Sequence, residues 1–148
     1  MKTEGVPASL VPADGSSANP LTVAEPSGGS GARVVDSQVW DLSSLAGDAD
    51  RLPWRPLRPG VQVVRLYGEA SQGPSAVLLK YDPGASVPLH EHTGYEHIFV
   101  LSGAQTDGST IFSTGTLAIQ SPGSRHRISS PHGCLVLVVY EKPVRFLE

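Results

Sequence analysis

VPLHEHTGYEHIFVLS (87–102) packs charged and apolar residues into one short run. Within it, His90, Glu91, His92, Glu96 and His97 place five ionisable side chains in eight positions, and the only other histidines are His126 and His132. Residues i and i+2 of an extended strand share a face. If residues 87–92 are extended, His90 and His92 project together and Glu91 projects away. Thr93-Gly94-Tyr95 then turns the chain. On the returning strand Glu96, Ile98 and Val100 share one face, and His97, Phe99 and Leu101 share the other. Glu96 can therefore join His90 and His92 only if His97 does not.

Outward from this stretch the texture is that of many short strands. VQVVRLY (61–67), AVLLKY (76–81), TLAIQ (116–120) and CLVLVVYE (134–141) are β-branched or aromatic and bounded by turn residues. RVVDSQVW (33–40) is a further strand candidate, and the segment from there to Pro59 reads as a loop anchored by Trp54. No apolar spacing of the 3.6-residue kind runs long enough for a substantial helix. DPGA (82–85) and SPGS (121–124) place Pro then Gly at the central positions of type II turns, and DGST (107–110) carries an Asp-Gly hairpin signal. The pattern predicts an all-β sandwich or barrel.

The second Pro-Gly turn launches Arg125-His126-Arg127, where His126 faces inward between two outward arginines. Three neutral imidazoles and one carboxylate on one barrel face suit a divalent transition metal. Burying such groups without a cation costs several kcal/mol each through desolvation. The predicted ligands are His90, His92, Glu96 and His126, holding one metal per chain, with Fe, Zn, Mn and Ni all compatible.

Bulk properties narrow the function classes. The 148 residues suffice for one ordinary domain, and the net charge of −3 with a pI near 5.9 provides no basic footprint for nucleic acid or anionic lipid. No apolar run approaches the roughly 18 residues of a membrane span, and the N-terminus lacks the apolar core of a secretory signal. A soluble, cytoplasmic protein is expected. Residues 1–31, rich in Gly, Pro and Ser, are expected to be a disordered tail, with the folded domain at 32–148. Cys134 is the only cysteine, which excludes an internal disulfide and a Cys-rich zinc site; a buried, inert thiol is expected.

The spacing resembles the first motif of the cupin superfamily, G-x5-H-x-H-x3-E-x6-G, met by Gly84, His90, His92, Glu96 and Gly103. The second motif, G-x5-P-x-G-x2-H-x3-N, is met at Gly115, Gly123 and His126. Ser121 stands at the usual first proline and Ser130 at the terminal asparagine. Within the RmlC-like cupins, the run from PLHEHTGYEH to SPGSRH is similar to the cupin domain of ChrR-type anti-sigma factors and to acetylacetone-cleaving dioxygenases. The resemblance implies a double-stranded β-helix, the cupin jelly-roll barrel, with a metal held by His90, His92, His126 and Glu96. In the diketone-cleaving relatives three histidines hold ferrous iron, which the substrate chelates before reacting with dioxygen. In the anti-sigma relatives the cupin domain senses a signal while a separate helical domain holds the sigma factor. The sequence offers no such helical domain, so direct sigma-factor inhibition is not expected.

Three functions follow as expectations: a mononuclear non-haem metal oxygenase or related enzyme acting on a small metal-chelating oxygenated substrate; a non-catalytic, metal-dependent sensor or binding module; and a metal-free cupin that binds a small ligand or only dimerises. Tyr95, in the turn between ligands, is a candidate to line the site, and Arg65 or Lys80 to reach into the barrel toward an anion. Glu91, His97 and His132 are expected outside it, and Arg125 and Arg127 in surface salt bridges. The apolar run Leu135–Tyr140 predicts burial on both faces and a homodimer.

Overall fold

Both Pro-Gly turns form as their sequences predict. Ala85 N donates to Asp82 O at 3.0 Å and Ser124 N to Ser121 O at 3.1 Å. The i+2 residues, Gly84 and Gly123, sit at φ +83° and +86°, where a side chain would strain the backbone. The Asp-Gly hairpin also closes, through Asp107 N to Thr110 O at 3.3 Å.

The structure is a computed structural model that describes residues 37–69 and 71–148, and the chain divides into two units between Pro53 and Trp54. The described part of the first unit holds a short helix, α1 (Leu42–Asp48), and a 3-10 turn (Ala49–Arg51). Asp41 caps α1 by accepting from Ser43 N at 3.0 Å, which satisfies one of the helix's free donors.

The second unit carries ten strands: β1 (Arg55–Arg58), β2 (Val61–Tyr67), β3 (Ser75–Tyr81), β4 (Ala85–His92), β5 (Glu96–Thr106), β6 (Ile111–Ser113), β7 (Leu117–Gln120), β8 (Arg125–Ser130), β9 (Cys134–Tyr140) and β10 (Val144–Phe146). They pair antiparallel in the order β1-β2-β3-β9-β5-β8-β4-β10, with β6 and β7 also on β5. β5 belongs to two layers. Its first part, Glu96–Gly103, pairs with β9 and β7, and its end pairs with β6 and β8. This is the curled double-stranded β-helix of a cupin barrel.

Strand alternation assigns the faces. Val77, Leu79, Ile98, Val100, Ile128, Val136 and Val138 are buried together, and Glu96 and His126 continue the inward rows of Ile98 and Ile128. The site is thus the end of the core faces themselves. At the other end, Ser130 substitutes for the usual asparagine by donating to Ala104 O at 2.6 Å, while its carbonyl accepts from Gly84 N at 2.8 Å.

Two expectations need correction. Residues 37–40 of the 33–40 candidate form no strand, and the loop expected up to Pro59 contains α1, the 3-10 turn and β1. β1 (Arg-Pro-Leu-Arg) and β10 (Val-Arg-Phe) are too short for alternation to reveal them; each is a strand because it pairs, β1 with β2 and β10 with β4. Residues 33–36 and the 1–31 segment lie outside the described residues. Cys134 is buried as expected.

Candidate metal centre

A β-bulge aims the first two histidines. On the β4–β8 ladder Val87 opposes Ile128 and His90 opposes His126. Pro88 and Leu89 therefore span a step that Arg127 alone spans on β8. Regular pairing would bring Leu89 opposite His126 and turn His90 outward. Pro88, with no N–H to give a ladder, suits the bulge. Its carbonyl accepts from His90 Nδ1 at 2.8 Å, which fixes the proton on Nδ1 and leaves the Nε2 lone pair free.

The second Pro-Gly turn does the same for His92. Ser124 O accepts from the His92 backbone N at 2.9 Å and lies 3.1 Å from its Nδ1. Ser124 Oγ, 2.9 Å from that Nδ1, donates its own proton to Ser121 O at 2.6 Å. Nδ1 thus meets acceptors on both sides and carries the proton. Such contacts behind an imidazole orient it as a metal ligand.

The three rings meet edge to face, with centroids 4.6–5.1 Å apart. One ring nitrogen from each of His90, His92 and His126 lies within 4.8 Å of the others, and all three residues are buried. Glu96 is beside this group, its Oε2 3.1 Å from His92 Nε2. Both of those atoms, and both ring nitrogens of His126, are buried without a hydrogen-bond partner. Each such orphan costs about 1–3 kcal/mol. Burial holds His90 below the usual histidine range and, reinforced by the neighbouring imidazoles, pushes His126 down to about 4. Neutral imidazoles with aimed lone pairs are the form a metal requires, so the residues fit a divalent transition metal.

Strand alternation separates Glu96 from His97, while a register shift between Val100 and Ser102 leaves Leu101, expected on the His97 face, buried. Glu96 is buried and His97 exposed. Glu91 faces out, ion-paired with Arg125 at 2.8 Å and with Arg145, and these two partners keep its carboxyl below its ordinary range. Arg127 pairs with Glu148, and His132 is exposed.

A cavity of about 60 Å³ opens beside the histidines, with His90, Glu96, His126, Arg58, Tyr81 and Tyr140 among its lining side chains and apolar residues between them. Tyr95 is 48% exposed and does not line it. Arg65 instead donates to Gly68 O at 3.1 Å, and Lys80 Nζ sits 5.1 Å from the Trp54 ring centroid. Arg58, Tyr81, Gln105, Tyr140 and Phe146 line the cavity unforeseen. Alternation placed Tyr81 with Leu79 and Tyr140 with Val138, a signal that was present; Arg58 and Phe146 lie on the two short strands and gave none.

Residues 43–145 match the family model of the ChrR cupin-like domain. This chain belongs to the ChrR cupin-like family. Among solved structures, it is 30% identical, with a TM-score of 0.53, to a chain of the Rhodobacter sphaeroides SigE complex with the anti-sigma ChrR; the match covers 60% of this chain and 48% of that one. This ChrR-like cupin therefore spans about half the length of that relative. The putative acetylacetone dioxygenase of Methylibium petroleiphilum matches at 16% identity and TM-score 0.64, over 80% of this chain and 85% of that one. The acetylacetone dioxygenase of Acinetobacter johnsonii matches at 13% and 0.61, over 84% and 85%. Likenesses at this identity establish the shared fold. No curated protein matches at a significant level.

Proposed function

We propose that this ChrR-like cupin is a small mononuclear metal enzyme, of the non-haem oxygenase kind or a related one, acting on a small oxygenated substrate that chelates the metal. His90, His92, His126 and Glu96 would hold one divalent transition metal. The observation that carries this reading is the convergence of three buried imidazole nitrogens within 4.8 Å beside partnerless His92 Nε2, Glu96 Oε2 and His126 nitrogens. Bound there, the metal would supply Lewis-acid activation of substrate oxygens or a site for dioxygen chemistry.

The chain's own residues define the rest. Pro88 and Ser124 hold two imidazoles in the tautomer that points a lone pair inward. Burial raises the Tyr81 and Tyr140 phenols above their ordinary range, so both remain protonated at neutral pH and can donate hydrogen bonds to a substrate. Apolar walls keep bulk water from the reacting atoms. Oxygen consumption by iron-loaded protein with a panel of β-diketones and related chelators tests catalysis. Uptake with at least one is expected.

A second reading is a non-catalytic, metal-dependent sensor or binding module. It is favoured by the 30% identity to a chain of the SigE–ChrR complex, and absence of oxygen uptake with every chelator would count against the oxygenase reading. We further propose a cytoplasmic homodimer. Leu117 and Ile119 on β7 are 55% and 54% exposed. They stand in cross-strand rows with Phe99 and His97 of β5 and with Leu137 and Val139 of β9, an apolar outer face that a second subunit would cover.

A further inference from the structure

Arg58 is the one cationic group lining the cavity among the described residues, and Glu96 the one carboxylate. Its Nε is buried and makes no hydrogen bond, and among the described residues no ion pair joins it to a carboxylate. A buried guanidinium donor without an acceptor is costly to keep, and Arg is normally paired when it leaves water. What positions it is stacking. Its Cζ lies 4.7 Å from the Phe146 ring centroid, and Phe146 in turn packs on His90 with centroids 5.8 Å apart. Stacking uses the flat face of a guanidinium and leaves its in-plane N–H donors available. The Arg58 fork therefore stands one aromatic ring away from a metal-facing histidine, on the wall of the same cavity.

Charge sets the class of ligand. The cavity wall carries one carboxylate side chain, Glu96, and one guanidinium, Arg58, so a divalent metal held by the histidines would bring two further positive charges that no other acidic side chain of the wall balances. A neutral diketone compensates neither of them. We propose that Arg58 is the specificity-determining residue of the cavity, and that the ligand is a small carboxylate anion. One end of it pairs with the Arg58 guanidinium, with Tyr81 and Tyr140 as further hydroxyl donors, and the other end faces the metal histidines. This deepens the enzymatic reading above and rests on the same histidine centre.

The test is calorimetric titration of the full chain with oxalate, and with 2,3-butanedione as an uncharged dicarbonyl, on the wild type, Arg58→Gln and Arg58→Lys. Metal content and thermal melting are measured on the same samples. Arg58→Gln is expected to weaken oxalate at least about tenfold, the loss of one charge-assisted hydrogen bond. It should leave metal content and butanedione binding unchanged. Arg58→Lys keeps the cation over Phe146 and should recover part of the affinity; it also serves as the folding control. Full metal content with oxalate affinity indifferent to Arg58→Gln, or absent in the wild type, overturns the inference and spares the metal centre. Arg58-dependent oxalate binding by a wild type that carries no metal sustains the inference and sinks the metal centre instead.

Discussion

His92 Nε2 and Glu96 Oε2 stand 3.1 Å apart, buried, and neither makes a hydrogen bond. Because Ser124 takes the proton on the other side of the His92 ring, the two atoms present lone pairs to each other. A shared cation relieves that opposition, and so does a donor on one partner. Glu96→Gln supplies an amide N–H in place of a carboxylate oxygen. In metal-free protein it should raise stability by about 1 kcal/mol, a few degrees in Tm, while weakening metal binding. Thermal melts with and without chelator read both effects, and a metal-free Glu96→Gln protein less stable than wild type would refute the opposition.

Ser124 is outside the proposed ligand set, yet it orients the His92 ring. Ser124→Ala removes the Oγ contact to His92 Nδ1 and leaves the carbonyl contact in place. Metal affinity should fall about tenfold, the usual cost of losing a group that orients a ligand, with little change in the metal-free melt. Competition with a calibrated chelator measures it. Unchanged affinity would mean that the carbonyl alone orients the ring.

The hairpin tip predicts an acid-sensitive contribution from a carboxylate outside the histidine cluster. Asp107 Oδ1 accepts from Thr110 N at 2.7 Å and Ser109 N at 2.8 Å, and these bonds lower its pKa from the ordinary 3.8. The folded state therefore binds that proton less readily than the unfolded chain. The contribution is present above the unfolded pKa and is lost as pH falls through the lower folded value. Asp107→Ala should melt a few degrees below wild type at pH 7, and the gap should narrow as pH falls below the ordinary 3.8. A gap that persists at low pH would assign the effect to something other than the ionised carboxylate.

The apolar rows on β7, β5 and β9 predict a dimer that a charge in their midst dissolves. Ile119→Asp should elute as a monomer from gel filtration, with the wild type at twice that mass. A monomeric wild type would end the dimer proposal.

Much of this arrangement was legible because alternation is local. A period of two separates Glu96 from His97 and Glu91 from its neighbours without knowledge of any partner strand. The Pro-Gly turns locate His126 thirty residues on from Glu96. What was not legible depends on pairing between distant segments. The Pro88–Leu89 bulge, which decides that His90 rather than Leu89 opposes His126, exists only on the β4–β8 ladder. Arg58 reaches the cavity because β1 lies on β2 and its side chain stacks on Phe146 of the last strand. Arg-Pro-Leu-Arg and Val-Arg-Phe are too short to announce either fact.

If His90, His92, Glu96 and His126 hold one metal, its stoichiometry is measurable. Elemental analysis of untagged protein, beside His90→Ala and His126→Ala, reads it. About one transition-metal ion per wild-type chain is expected, with most of it lost in either variant. Wild-type protein without stoichiometric metal after purification and metal reconstitution, or variants that keep it in full, would rule this centre out.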